Sequence, residues 1–294
     1  MDPTKLSGIA AILGESLSLP AKNKRLMLPA MVLCFVPNSV LLMGNYISLY
    51  PLLLNLLVKI YLITKEDPST PQFFDAIVGL KNDAEAFVHA RIIFLVVSCA
   101  ISAFSMMVMV NSSLLACSGQ QSTLRDVMLR MKSNWLPVFV TYIYFALLYT
   151  GYTVLSVCFI AVPMLTANGS AVSVGAGGVA GLLARLLFAY LAAVWTVGLV
   201  VAVAEEGCFG LEALWRGGEM VRGRKIQAFL ISLMLLFGDG VLAAGYGFAG
   251  TGNAAGVILV NALVMMKMFT HTVYTVFYLQ CRKSASHMSQ SAPL

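Results

Sequence analysis

Charge is scarce in this chain, since only 11% of its 294 residues are Asp, Glu, Lys or Arg, against about 25% in typical soluble domains. No charged residue occurs between Arg91 and Arg125, or between Lys132 and Arg185. An uncharged apolar run of about 18 residues or more is typical of a transmembrane helix. The composition therefore favours an all-α, polytopic membrane protein over a soluble all-α protein with buried helices.

Residues that carry metal or nucleophilic chemistry are also few. The chain has three histidines, and none has another His or Cys at zinc-ligand spacing. Its six cysteines form no CxxC pair, so we interpret them as packing residues. The GxSxG, P-loop and HExxH patterns are absent. The sequence therefore predicts no metal, no cofactor and no enzymatic activity, with a membrane-embedded lipid enzyme as the least supported alternative.

Six apolar segments are long enough to cross a bilayer. They are Leu26–Ile47, Ile92–Ala116, Trp135–Met164, Gly178–Ala204, Ile226–Phe248 and Ala254–Leu279. A further segment, YISLYPLLLNLLVKIYLIT at Tyr46–Thr64, is apolar enough to be a seventh span. A seventh span would move the basic clusters near Arg125 and Arg216 to the outer side, whereas Lys and Arg prefer cytosolic loops. We therefore interpret Tyr46–Thr64 as an interfacial or re-entrant helix, because it contains Pro51 and Lys59.

Six spans with a cytosolic N-terminus place most of the nineteen basic residues inside. The predicted regions are a cytosolic amphipathic segment at 1–25, a membrane domain at 26–281 and a disordered cytosolic tail at 282–294. Within the membrane domain, 48–89 is an interfacial and outer segment, and 205–225 is a cytosolic amphipathic helix. Both termini are expected in the cytosol, with the protein in the endomembrane system or the plasma membrane.

A dense charged stretch, AEEGCFGLEALWRGGEMVRGRK, follows the fourth span. Its apolar residues recur at helical spacing and oppose Glu212, Arg216 and Glu219, with Glu212 and Arg216 in the favourable i,i+4 order. We predict an amphipathic helix on the membrane surface. The apolar residues are Leu211, Leu214, Trp215 and Val221. The charged motif comprises Glu205, Glu206, Glu212, Arg216, Glu219, Arg222, Arg224 and Lys225.

Two other segments repeat this arrangement of an amphipathic stretch, a basic cluster and a long apolar helix. They are ILGESLSLPAKNKRLMLPAMV before span one and STLRDVMLRMKSNWLPVFV before span three. The repetition predicts three units, each made of a surface helix and two spans. Any bundle with an even number of spans and basic inner loops would also show a similar pattern.

The motif at Val203–Lys225 resembles a family of uncharacterised plant multi-pass membrane proteins. It is more distantly similar to the bacterial membrane domain that accompanies some glycerophosphodiester phosphodiesterases. In those families an acidic residue ends a membrane helix, and Ala-Leu-x-x-(Ser/Gly)-x-x-(Leu/Met)-x-x-Gly follows. The matching positions here are Glu205 or Glu206, Ala213, Leu214, Gly217, Met220 and Gly223. The resemblance implies a six-span layout, and no phosphodiesterase activity, since that membrane domain is not the catalytic part.

Four ionisable residues lie inside the predicted spans, where charge is costly and usually faces protein or a cavity. Asp239 is ~21 Å from Lys225 along its helix, and Lys267 is ~22 Å from Arg282. The two therefore lie at one height on antiparallel neighbours, which suggests an ion pair that His271, one turn from Lys267, can join. Arg185 on span four lies nearer the outer surface.

These observations predict a non-enzymatic membrane protein that serves membrane organisation or trafficking, or acts as a lipid-associated scaffold. Its expected partners are the bilayer, anionic lipid headgroups at the cytosolic face and a cytosolic protein. The alternative is a transporter or channel with a polar path through Asp239, Lys267, His271 and Arg185. The net charge of +6 reflects topology; the basic residues are split among separate loops, so nucleic acid is not an expected partner.

Overall fold

The computed structural model describes residues 3–63, 71–119, 122–166, 171–249 and 254–291, and in these ranges the chain is helical and without strands. Six helices in these ranges are long and apolar enough to cross a membrane, which confirms the predicted all-α class and the six spans. The described helices are α1 (Pro3–Lys22), α2 (Lys24–Ile63), α3 (Pro71–Cys117), α4 (Leu124–Thr166), α5 (Ala171–Ala204), α6 (Leu211–Arg222), α7 (Lys225–Ala249) and α8 (Ala254–Ser291).

Helix α2 corrects the prediction for Tyr46–Thr64. It runs without interruption from Lys24 to Ile63, so this segment, whose last residue lies outside the described ranges, is neither re-entrant nor a separate interfacial helix. The 40 residues of α2 extend ~60 Å, about twice the ~30 Å hydrocarbon core of a bilayer. Pro51 lies inside the helix without ending it, which is why its presence misled the prediction.

Three other boundaries differ from the sequence prediction because helices continue past the expected ends. Helix α3 begins at Pro71 and thus includes residues 71–89 of the predicted interfacial and outer segment 48–89. Helix α4 begins at Leu124, so the second predicted surface helix is the first part of the third span. Only α1 and α6 are separate short helices among those described, which leaves the three-unit pattern incomplete. Helix α8 reaches Ser291, so residues 282–291 of the predicted disordered tail are helical.

The chain divides into two compact units. The first comprises Met1–Cys34, Ala103–Val241 and Met265–Leu294, and the second comprises Phe35–Ser102 and Leu242–Val264. In the second unit α2 and α3 pair antiparallel. Lys59 forms an ion pair with Asp83 at 2.5 Å and donates to the carbonyl oxygen of Gly79 at 3.3 Å. Arg91 donates to Asn45 Oδ1 at 3.4 Å, so the register extends over several turns of both helices.

The first unit has a core built mainly by α3, α5 and α8. Its largest fully buried side chains include Tyr278 and Phe277 of α8 and Met106 and Met109 of α3. Helices α4, α5 and α6 pack together. Large apolar side chains elsewhere are exposed, among them Phe237, whose exposure suits a surface solvated by lipid rather than water.

Candidate functional site

The turn between α5 and α6 is shaped by glycine. Gly207 and Gly210 have φ angles of 82° and 64°, a left-handed conformation that other residues rarely adopt. The buried N–H of Gly210 donates to Thr141 Oγ1 of α4 at 2.7 Å. The turn therefore ends α5 at Ala204, starts α6 at Leu211 and is anchored to a third helix.

Glu205, the first residue after α5, connects three helices. Its Oε2 forms an ion pair with Arg216 of α6 at 2.6 Å, and its Oε1 accepts a hydrogen bond from the Tyr278 hydroxyl of α8 at 3.0 Å. Glu206 beside it is exposed. Of the two carboxylates predicted to end the fourth span, Glu205 is therefore the one that makes these contacts.

Arg216 is bonded differently from the prediction. The expected partner was Glu212, but the ion pair forms with Glu205, and Glu212 makes only a weaker electrostatic contribution. A hydrogen bond to the Cys208 side chain, followed by the charge of Glu205, raises the pKa of Arg216. The guanidinium of Arg216 thus contacts two residues of the α5–α6 turn, Glu205 and Cys208.

Two glycines let α6 pack on α5 backbone to backbone. A methyl group on Gly217 would lie 2.4 Å from the backbone nitrogen of Gly198 and 2.6 Å from its Cα. A methyl group on Gly198 would lie 2.7 Å from the Cα of Leu214. All three distances are far shorter than van der Waals contact, so neither position has room for a side chain. The buried residues of α6 are Ala213, Leu214, Gly217 and Val221.

Two of the apolar residues of α6 face the protein interior, and two are exposed. Leu214 and Val221 are buried in the protein, whereas Leu211 and Trp215 are 60% and 70% exposed. Trp215 Nε1 donates to Glu219 Oε1 at 3.2 Å, so the two side chains meet where the apolar residues border the charged ones. Of the four apolar residues predicted on one face, two are therefore buried in the protein and two remain exposed, and the location of this helix on a membrane surface stays a prediction.

Two pockets lined by cations lie at junctions between helices of the first unit. One, which we call the α7 pocket, has a volume of about 650 Å³ and is lined by Gly8, Arg222, Gly223, Arg224, Lys225, Ile226 and Gln227. The other, the α2 pocket, has a volume of about 480 Å³ and is lined by Ala21, Lys22, Asn23, Lys24, Arg25, Leu26, Gly119, Ser122 and Thr123. Each pocket contains the first residue of a spanning helix and three basic side chains.

The four predicted intramembrane residues fall into two places. Asp239 and Lys267 are close enough for their charges to attract, and the charge of Lys267 also acts on His271. His271 is buried, and neither ring nitrogen has a hydrogen-bond partner in the described part of the chain. Arg185 is exposed instead and lines an aromatic pocket with Tyr149, Tyr152 and Phe188. The predicted ion pair between Asp239 and Lys267 stays a prediction.

Several contact residues were not identified from the sequence. Thr141 and Tyr278 resemble the other polar and aromatic residues of their spans, so no signal distinguished them. Gln280 and Ser284 accept hydrogen bonds from Arg224 at 3.5 and 2.6 Å, and their i,i+4 spacing at the end of the sixth span was a signal that pointed to a shared partner. No group of three metal-ligating side chains occurs among the described residues, and all six cysteines are free.

Comparison with known proteins gives one family. A family model described as "Domain of unknown function (DUF8558)" matches residues 2–290, which is nearly the whole chain. No curated protein and no solved structure matches it. The resemblance to plant proteins and to the bacterial membrane domain stays a prediction.

Proposed function

This chain belongs to the DUF8558 family, and we propose that it is a non-enzymatic membrane protein that organises anionic lipid at the cytosolic face of a bilayer. The observation that carries the proposal is the pair of cation-lined pockets at the first residues of α2 and α7. Both helices are long and apolar enough to cross a membrane, and we place their first turns at the level of the phospholipid headgroups. Basic side chains at this level attract anionic lipids.

Further basic residues extend the same surface. Arg125, Arg130 and Lys132 are exposed on the first turns of α4, which is also a span. We call the ends of α1, α3, α5, α6 and α8, together with the starts of α2, α4 and α7, the basic end. The excess of Lys and Arg there supports a cytosolic location for this end and for both termini. The cytosolic leaflet carries anionic lipid, which the basic end would concentrate.

Helix α6 supports contact with the membrane surface. Leu211 and Trp215 are one turn apart on the helix, and neither is covered by protein. Trp is enriched at membrane–water interfaces because its ring is apolar and its N–H is polar. With its other residues packed on α5, α6 would hold these two side chains against the headgroup region, in the manner of an interfacial helix.

Neutralising one basic residue tests the proposed function. In nanodiscs of phosphatidylcholine and phosphatidylserine, we expect Lys132→Gln to lower the enrichment of phosphatidylserine around the protein by up to about fivefold, since each basic residue near the surface contributes about 1 kcal/mol. The enrichment is measured from the lipids that remain with the protein after extraction. Lys81→Gln, which removes an exposed lysine of α3 in the second unit, is the matched control. Equal lipid compositions for wild-type protein and bulk nanodisc would refute the proposal.

Transport is the second candidate, because His271 is buried with both ring nitrogens unbonded among described residues. An intramembrane ionisable group without a partner is typical of a polar path. In proteoliposomes with a trapped pH-sensitive dye, proton transport predicts that wild-type protein dissipates an imposed pH gradient faster than empty vesicles do. Asp239→Asn is expected to abolish this excess, and Glu206→Gln, at an exposed turn position, to preserve it. A wild-type rate equal to that of empty vesicles would exclude proton transport.

A further inference from the structure

The α7 pocket brings together three cations from the end of α6 and the start of α7. Arg222, Arg224 and Lys225 lie within four residues and all line it. Arg224 is held by Ser284 at 2.6 Å and Gln280 at 3.5 Å, which are neutral and leave its charge uncompensated. None of the three cations forms an ion pair with a carboxylate among the described residues. The pocket is therefore complementary to an anion.

The backbone adds to this complementarity. Helix α7 begins at Lys225, so the N–H groups of its first turn lack intrahelical partners and carry partial positive charge. Gly8 of α1 provides another wall, and a methyl group there would lie 2.8 Å from Gln227 Nε2. The glycine thus lets α1 approach the start of α7 closely and makes the pocket concave.

The surroundings of the pocket are apolar on the membrane side. Ile226, which lines the pocket, is 53% exposed. Further exposed side chains of α7 lie on the same side of the helix as Ile226, at helical spacing, as expected for one lipid-facing stripe. They are Met234, Phe237 and Val241. A soluble anion would leave this stripe uncovered, whereas the acyl chains of a phospholipid would cover it.

We propose that the α7 pocket binds the phosphate group of one anionic phospholipid, whose acyl chains lie along the exposed stripe of α7. The phosphate oxygens accept hydrogen bonds from Arg222, Arg224 and Lys225, in keeping with the preference of guanidinium groups for phosphate. This inference rests on the proposed function and specifies its ligand. Because α1, α7 and α8 all contribute to the pocket or to its arginine, the bound lipid would join these three helices.

The test compares two triple variants that remove equal charge. Protein is released from nanodiscs of phosphatidylcholine and phosphatidylglycerol, and the lipid that stays bound is counted by native mass spectrometry. We expect wild-type protein to retain one phosphatidylglycerol. Combining Arg222→Gln, Arg224→Gln and Lys225→Gln is expected to weaken its retention about 150-fold, since each basic residue near the membrane surface contributes about 1 kcal/mol. Combining Arg125→Gln, Arg130→Gln and Lys132→Gln, at the basic end but outside the pocket, removes only diffuse attraction and is expected to weaken retention of this lipid much less than the pocket triple does.

Further outcomes of the experiment distinguish a specific lipid site from diffuse attraction and from a site for soluble phosphate. Equal loss in both triple variants would overturn the pocket and leave diffuse attraction by the basic end intact. Wild-type protein that retains no anionic lipid would overturn both. Binding of inorganic phosphate to lipid-free protein in detergent, without competition by phosphatidylglycerol, would overturn a lipid as the ligand. Arg222→Gln with Lys225→Gln, which keeps the Arg224 contacts and hence the fold, is expected to weaken retention about 30-fold; undiminished retention would contradict the proposal.

Discussion

Replacing Gly217 with alanine is expected to destabilise the protein by about 2–3 kcal/mol, the upper part of the range for overpacked sites. The new methyl group would lie 2.4 Å from the backbone nitrogen of Gly198. Backbone cannot rotate away as a side chain can, so α6 must move off α5. This cost exceeds the gain of up to about 1 kcal/mol that alanine brings to a helix interior relative to glycine. Thermal unfolding in detergent, followed by tryptophan fluorescence, measures the difference.

The adjacent glycine provides the matched control. A methyl group on Gly218 would lie 3.5 Å from Val194 Cγ1, an ordinary contact. Gly218→Ala is therefore expected to keep or raise the unfolding temperature, because it gains helix propensity without a clash. The pair of variants changes the same chemical group in the same helix, so only the backbone contact differs. If the two alanine variants unfold at the same temperature, the close packing of α6 on α5 is wrong.

Replacing Glu205 with alanine is expected to have the second largest effect, lowering the free energy of unfolding by about 2 kcal/mol. Hydrogen bonds to charged groups contribute about 1.5–3 kcal/mol when a buried partner loses them. Tyr278 is fully buried, so loss of its acceptor accounts for most of the cost. Arg216 has a side chain that is 50% exposed, and water therefore replaces much of its bond to the carboxylate. Thermal unfolding in detergent again reports the change.

Glu206→Ala is the control, since it removes an exposed carboxylate one residue away and is expected to change stability by less than about 0.5 kcal/mol. A double-mutant cycle with Tyr278→Phe isolates the hydrogen bond. Removing both partners should cost less than the sum of the single changes. Strict additivity would show that Glu205 and Tyr278 do not interact in the folded protein.

The spans were predictable because they depend on composition, which is a property of the chain itself. Long uncharged runs favour a lipid environment whatever their partners, and six helices in the described part of the chain are long and apolar enough to cross a membrane. The ends of the helices were less predictable. Pro51 and Lys59 suggested an interruption of α2, yet Lys59 is paired with Asp83 of α3, a contact between residues far apart in sequence.

In the candidate site, too, some features were predictable from the sequence and others depend on contacts between distant residues. Basic clusters near span ends could be located from the sequence, and both cation-lined pockets occur at such clusters. Arg216 pairs with Glu205, although the sequence suggested Glu212 as its partner. The sequence also left Glu206 as an alternative to Glu205 at the end of the fourth span. The geometry of the α5–α6 turn decides between these carboxylates. Gly198 was also beyond prediction, because its role arises only when Gly217 is brought against it.

The contact between Gly198 and Gly217 also limits how this protein can diverge. A side chain at Gly217 would meet the backbone of Gly198, and one at Gly198 would meet the backbone of Leu214, so no single substitution at either glycine is neutral. Selection would then hold both codons fixed across species while Gly218 next to them drifts. In a relative that lacks either glycine, α6 must pack on α5 at a larger distance or in another register.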